Sequence, residues 1–470
     1  MSNAHIIEFL QKVQQGDGKG SSVYFLGAGG IGMSAIARYF NSRGVKVSGY
    51  DKTETTLTKQ LVSEGIAIHY EDDVSLADKD AVFVVYTPAV PKDHDEYNFF
   101  LKNGYTILKR SEVLGMITRS SFNVCVAGTH GKTTTSTMVA HILRDSGTGC
   151  NAFLGGIASN YGTNFWSDAR NICVAEADEY DRSFLQLSPD VAVITAMDPD
   201  HLDIYGDSEH FTEAFLEFSG KVKKEGLLLA RRGLTGSHKF RASQVMSYDA
   251  TDKTADCHTE NIKIINGAYH FDVRIKDKFI DNMVLNMGGM HNVENAVAAI
   301  AVAVHMNVDE EKIRSAVASF RGVKRRFEYI VKEDDMVFID DYAHHPTELE
   351  ALINGAKGLF PDRKCTVVFQ PHLYSRTRDF ADGFTKALEL ADEVLLLPIY
   401  PAREKPIPGV ESEMLLKGME ISKGSCITKQ ALLTMIEEKK QKGELSLLIT
   451  AGAGDIDTMV DPIKKILTTR

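Results

Sequence analysis

Two glycine turns, each set between a short apolar strand and a helix, limit what this chain can become, and the second is the stricter. Asn123–Ala127 reads as a strand, Gly128-Thr129-His130-Gly131-Lys132-Thr133-Thr134-Thr135 follows directly, and Ser136–Arg144 reads as a helix. The G-K-T-T core gives each residue type a task. Successive backbone amides hold phosphate oxygens, Lys132 reaches the outer phosphates, and the Thr133 hydroxyl faces Mg²⁺. The loop is shorter than the common G-x-x-x-x-G-K-[ST] form, with Val126 where that form begins in glycine. A nucleoside triphosphate is the ligand this pattern implies.

The first turn is less committed. Val23–Leu26 is strand-like, Gly27-Ala28-Gly29-Gly30-Ile31-Gly32 follows, and Met33–Asn41 reads as a helix. G-x-G-x-x-G lets backbone N–H groups of Gly29, Gly30, Ile31 and Gly32 approach a diphosphate at the helix start. A second strand, Val45–Gly49, leads to Asp51, whose carboxylate can accept a ribose hydroxyl. NAD fits this pattern, other diphosphates such as UDP-sugars fit it too, and glycines serving only strand–helix packing would look the same.

Short β-branched runs alternate with longer helical stretches throughout, the mark of an α/β protein with mostly parallel sheets. A third run of strands begins at Met336 and includes Cys365–Phe369, Glu393–Pro398 and Leu445–Thr450. Three units in 470 residues predict three domains, 1–120, 121–325 and 326–470, since one core rarely serves so long a chain. A net charge of −11 argues against a non-specific nucleic-acid surface. The longest apolar runs, such as Val191–Thr195, fall far short of a membrane span. With no basic, apolar leader in view, the expected location is cytoplasmic. The six cysteines form no C-x-x-C pair, and they read as core residues of a reduced compartment.

A P-loop needs help with phosphate charge, and two acidic segments follow it. Asn171–Ala175 is strand-like and ends in Glu176-Ala177-Asp178-Glu179-Tyr180-Asp181, while Val191–Thr195 ends in Asp198-Pro199-Asp200-His201-Leu202-Asp203. Carboxylates at the carboxyl ends of adjacent strands lie where open α/β sheets bind ligands, and Mg²⁺ takes oxygen donors of this kind.

Taken together, these motifs resemble the Mur ligase family. The likeness runs from Gly27 to Gly454 through GAGGIGMS (27–34), GTHGKTTT (128–135), EADEYDRSFL (176–185), DPDHLDIY (198–205), HNVENAVAAIAVA (291–303), GVKRRFE (322–328), DDYAHHPTE (340–348), FQPHLYSRTRDF (369–380) and GAGDI (452–456). It implies a Rossmann-like UDP-binding domain, a central ATP-binding P-loop domain and a C-terminal Rossmann-like domain that takes an amino acid. The branch it resembles best joins L-alanine to UDP-N-acetylmuramate, with ATP and Mg²⁺, as monomer or homodimer. By this resemblance Gly128, Thr129, His130, Gly131, Lys132, Thr133 and Thr134 hold ATP, with Thr133, Glu176 and His201 as metal ligands. His291, Asn292 and Asn295 would lie along the nucleotide, and Arg326 and Asp341 would complete its site. His372 and Arg376 would stand by the incoming amino acid, where a cation grips its carboxylate. The catalytic set is then Lys132, Glu176, His201, His372 and Arg376.

Two departures stand out. Several relatives carry a carbamylated lysine fourteen residues after the D-H-x-D histidine; here that position is Phe215, and the alanine-adding branch also lacks the lysine. Many alanine ligases read P-H-R-Y where this chain has Leu373, which shifts weight onto Arg376. The nearest rival is a recycling ligase that adds a preformed peptide to the same sugar acid. An NAD-dependent oxidoreductase would leave the P-loop idle, and a nucleotide switch would leave the first turn idle. His344-His345-Pro346 reads equally well as a helix entry.

Overall fold

The computed structural model describes residues 3–199, 202–402, 404–419 and 424–469. Three sheets form in chain order. The first has five strands, all parallel, in the order Ala67–His69, Lys46–Tyr50, Ser22–Leu26, Val84–Tyr86, Ile107–Lys109. The strands step outward from Ser22–Leu26 to Ala67–His69, and the chain then crosses back to place Val84–Tyr86 on the other side of Ser22–Leu26, which opens a crevice at that strand's carboxyl end. The glycine turn sits in it. The second strand lies one residue later than the sequence suggests, and the helix behind the turn is longer, Ile31–Ser42.

The central sheet has ten strands, and Phe122–Ala127 lies between Val191–Ile194 and Ile172–Glu176, parallel to both. Both edges are antiparallel: Thr163–Trp166 pairs with Asn151–Ala158 at one, and at the other Cys257–Ile265, Ala268–Ile275 and Lys278–Leu285 form a meander, which the mostly parallel expectation leaves out. The third sheet runs Glu328–Lys332, Val337–Asp341, Leu447–Ala451, Cys365–Phe369, Glu393–Leu396, Gly424–Cys426, with only the first pairing antiparallel.

Period-two alternation divides the central core. Val124 and Val126 point into a cluster that holds the helices Lys132–Asp145 and Met290–His305 and continues into the third sheet. Cys125 and Ala127 point the other way, into a cluster shared with Ile36, Phe40 and Phe83 of the first sheet's layer. The three units are thus packed through apolar contact as well as tethered. Polar groups pin the first junction: buried Arg38 pairs with Glu64 at 2.7 Å and donates to Asn164, whose amide donates to the carbonyl of Ile31 at 2.6 Å. Cys125, Cys150, Cys173, Cys257 and Cys365 are buried and Cys426 is half-buried, all as free thiols. Among the described residues no helix is long and apolar enough to cross a membrane.

Candidate active site

The P-loop is shaped by two glycines that accept no side chain. Gly128 has φ 133°, and a Cβ there would lie 2.2 Å from the Thr195 hydroxyl. Gly131, at φ 81°, caps the helix Lys132–Asp145, and a Cβ there would meet Asn295 Oδ1 at 2.8 Å. The neighbouring strand end holds the loop in place: Thr129 N–H donates to Ala196 O at 3.2 Å, and the Thr195 hydroxyl donates to the carbonyl of His130. His130 itself is exposed, and Thr133 and Thr134 are buried at the helix start.

Glu176 ends the strand beside the loop. Its Oε2 accepts from Gly155 N–H at 3.1 Å, and a Cβ on Gly155 would lie 2.3 Å from that oxygen. Gly156 gives similar room to Thr133, whose methyl would stand 2.9 Å from a Cβ. Sequence reasoning missed both glycines, because they serve an approach between strands far apart in the chain. Lys132 Nζ pairs with Glu179 Oε1 at 2.7 Å. Burial raises the Glu179 carboxyl's pKa against the pull of Lys132. Among the described residues no three His, Cys, Asp or Glu side chains converge as a ready-made metal site. A cation here would lean on phosphate oxygens, which is usual for Mg²⁺, and the hard oxygens of Thr133 and Glu176 fit that role. His201 lies outside the described residues.

At the first turn Asp51 acts within the protein. Its Oδ2 accepts from Gly29 N–H at 2.7 Å and its Oδ1 from Thr53 N–H at 3.2 Å, so the carboxylate braces the turn from below. Gly30 N–H closes the turn onto Gly27 O at 3.3 Å, and Ile31 is exposed at its rim. Arg110 lies over Gly32, where a Cβ would meet its Nη1 at 2.7 Å. Lys109 and Arg110 then reach the acidic loop of the central sheet, at 2.7 Å to Asp181 and 3.1 Å to Asp178. Asp181 and Arg182 adopt left-handed φ of 52° and 55°, an unusual pair of conformations for non-glycine residues. These two ion pairs join the edge beside the first glycine turn to the acidic loop of the central sheet, and nothing in the spacing of the sequence announces them.

The segment 291–295 divides. Asn292 and Asn295 are buried and committed: Asn295 accepts from the Thr135 hydroxyl at 3.0 Å and donates to Asn292, which donates to Gly288 O at 2.7 Å. They shape the P-loop helix from behind, while His291 is exposed at the mouth.

The third sheet contributes the ends of its parallel strands. Asp341 accepts from Phe327 N–H at 2.6 Å and Ala343 N–H at 2.7 Å, and burial pushes its carboxyl up to about 6. It therefore clasps the linker, where Arg325 and Phe327 have φ of 60° and 48°. Arg325 is spent on Asp340 at 3.2 Å and on the carbonyl of Gly452, and Arg326 is exposed. His372 stacks on Tyr400 at 5.8 Å and meets His344 edge-on at 6.2 Å. Leu373 holds φ 68° and ψ 135° as the cap of the helix Tyr374–Asp379, a strained posture for a side-chain-bearing residue. Arg376, on that helix, has no ion pair among the described residues and is half-buried. His345 caps Pro346–Leu359 with Glu348 reaching back, so the helix-entry reading of His-His-Pro holds.

Three family descriptions match in succession: "Mur ligase family, catalytic domain" over residues 22–122, "Mur ligase middle domain" over 126–303, and "Mur ligase, glutamate ligase domain" over 325–456. The UDP-N-acetylmuramate–L-alanine ligase of Cytophaga hutchinsonii is 48% identical over 96% of this chain and 97% of its own length. The chain belongs to the Mur ligase family. The enzyme of the same name from Phocaeicola vulgatus is 49% identical over 96% of this chain and 98% of its own. Among solved structures, this Mur ligase is similar to the UDP-N-acetylmuramate–alanine ligase of Thermotoga maritima, with TM-score 0.79, 29% identity, and 94% and 98% of the two chains covered. A murein peptide ligase from Psychrobacter arcticus shares the fold at TM-score 0.64 and 23% identity, covering 96% of this Mur ligase and 99% of its own chain.

Proposed function

We propose that this Mur ligase uses ATP to join L-alanine to the lactyl carboxylate of UDP-N-acetylmuramate. The single observation that carries the reading is the 48% identity, over nearly the full length, to a ligase of that name. The geometry supports it: Arg110, which lies over the first turn at Gly32, and Lys109 pair with Asp178 and Asp181 of the loop whose Glu179 pairs with Lys132 of the P-loop. A sugar-acid carboxylate and a triphosphate need that proximity to react.

The carboxylate is a poor electrophile until it is activated. Its oxygen attacks the γ-phosphorus of ATP, the bond to the β-phosphate oxygen breaks, and ADP leaves behind an acyl phosphate. Lys132 and the amides from Gly131 to Thr134 would hold the phosphates and offset the charge on the moving phosphoryl group. When bound, Mg²⁺ supplies further charge neutralisation; Thr133 and Glu176 would hold it, with His201 as a third donor. Alanine's amine, as the free base, then attacks the acyl carbon. The C–N bond forms, the C–O bond to phosphate breaks, and the nitrogen loses a proton. His372 and Arg376 would receive alanine's carboxylate, and without an arginine at Leu373 the half-buried Arg376 is its main cation. Asn292 and Asn295 would act through the P-loop helix, leaving His291 and Arg326 as the exposed groups beside the nucleotide.

Phosphate release from ATP and Mg²⁺ with UDP-N-acetylmuramate tests this, with L-alanine, glycine, L-serine and a cell-wall tripeptide offered separately. Release that requires both the sugar acid and L-alanine, and vanishes in Lys132→Ala, is expected. A preference for the tripeptide would reassign the chain to peptide recycling, and release indifferent to the sugar acid would refute the ligase reading.

A further inference from the structure

Glu179 has no task in the mechanism above, yet its surroundings are among the most constrained in the chain. It lies three residues past Glu176 and is 2% exposed. Oε1 receives the Lys132 ammonium at 2.7 Å. Oε2 is shut off from solvent and has no hydrogen-bond partner among the described residues. A buried carboxylate with one oxygen paired and the other bare is under-compensated, since burial is tolerated when every lone pair finds a donor or a cation.

The backbone that carries this side chain is held in place. Its carbonyl accepts from the Tyr205 hydroxyl at 2.5 Å and from Arg182 N–H at 3.0 Å. Tyr205 packs on Phe211 at 4.9 Å, and Phe211 on Phe215 at 5.2 Å, all of them buried. Phe184 closes the same cluster against Phe215 at 5.1 Å. On the other side Asp178 is tethered to Arg110. The loop therefore holds a bare oxygen beside the lysine that reaches for phosphate.

We propose that Glu179 is a positioning residue for Lys132 and a further ligand for the divalent cation that enters with nucleotide. Oε1 aims the ammonium, and Oε2 is reserved for the cation. This rests on the reading that the P-loop takes ATP with a divalent ion. Without the cation, Glu179 competes with phosphate for Lys132 and adds negative charge beside the triphosphate. With it, the same carboxylate becomes an attractive partner. Nucleotide affinity is thereby tied to metal through one side chain.

The test is calorimetric titration of ATP into the full-length protein, in EDTA and again in MgCl₂, for wild type, Glu179→Gln and Glu179→Asp. Wild type should bind weakly in EDTA and at least tenfold more tightly with Mg²⁺. Glu179→Gln should bind several-fold more tightly than wild type in EDTA and gain little from Mg²⁺. Glu179→Asp keeps the charge but shortens the reach, so it should match wild type in EDTA and lose most of the Mg²⁺ gain. It also keeps the test alive should the glutamine variant fail to fold. An equal Mg²⁺ gain in wild type and in each variant that folds would overturn the proposal. Absence of ATP binding by wild type in either buffer would instead remove the P-loop reading beneath it.

Discussion

Gly155→Ala isolates the placement of Glu176 from the stability of the fold. Gly155 lies in the strand Asn151–Ala158 and is not among the glycines with positive φ, so alanine suits the backbone there. The obstacle is spatial: the new Cβ would stand 2.3 Å from Glu176 Oε2 and 2.6 Å from its Oε1. Ordinary contact begins near ~3.4 Å, so the carboxylate must withdraw by about 1 Å, and the far end of a glutamate can do so cheaply. The withdrawal breaks the Gly155 N–H to Oε2 bond, now 3.1 Å, which as a charge-assisted bond is worth about 1.5–3 kcal/mol. If Glu176 holds the cation, Mg²⁺ half-saturation should rise about tenfold, since ~1.4 kcal/mol is a factor of ten. Turnover should fall by up to about a hundredfold, the effect of a ~1 Å misplacement. Stability should fall by about 0.5–2.6 kcal/mol, the lost bond less the ~0.4–1 kcal/mol that restricting the unfolded chain returns, which leaves the protein folded. Mg²⁺ titrations of phosphate release, run beside urea denaturation, separate the two. Wild-type Mg²⁺ dependence in a folded Gly155→Ala protein would refute the role given to Glu176.

Lys109→Ala and Arg110→Ala each remove a partly exposed ion pair, so stability should change by less than ~1 kcal/mol while KM for the UDP-sugar rises and becomes less salt-sensitive. Steady-state kinetics at two ionic strengths would show it. Phe215→Ala should cost about 3–5 kcal/mol in urea denaturation, because the ring is fully buried against Phe184 and Phe211. Asp340 is 1% exposed, and burial pushes its carboxyl up to about 6 despite Arg325. A carboxyl raised in the folded state stabilises fully below its unfolded value and loses that contribution as pH rises through about 6. The denaturation midpoint of Asp340→Asn relative to wild type should therefore improve between pH 5 and pH 7, by on the order of 1 kcal/mol; a difference that does not move with pH would refute this.

Both glycine turns are legible because each motif is contiguous, Gly27 to Gly32 and Gly128 to Thr135, with its strand before and its helix after; the distant groups that crowd those glycines, Thr195, Asn295 and Arg110, are not. The family likeness supplies the three-unit architecture for the same reason, through motifs in order. Asn292 and Asn295 show where sequence reading stops. Their position near the P-loop is legible, but their burial against Thr135 depends on how two helices pack. Gly155, Gly156, Lys109 and Arg110 are invisible in sequence because each acts on a partner tens of residues away, and Glu179 is legible only as one carboxylate of an acidic segment, not as the partner of Lys132. The meander from Cys257 to Leu285 escapes notice because the alternation of helix and strand elsewhere suggests parallel crossovers, whereas short turns here join strands directly.

The inward-facing thiols carry a practical consequence. Burial pushes Cys173 to about 11 and Cys257, Cys365 and Cys426 to about 12, and raises Cys125 and Cys150 as well. Protonated thiols react slowly with electrophiles, and five of the six are enclosed as well, with Cys426 half-buried. The native chain is thus a quiet background for maleimide dyes. Cysteines placed at exposed Lys102 and Lys386, on the first and third units, would be labelled ahead of the native six. The distance between those units could then be followed by energy transfer during turnover, without first stripping the protein of its own sulfur.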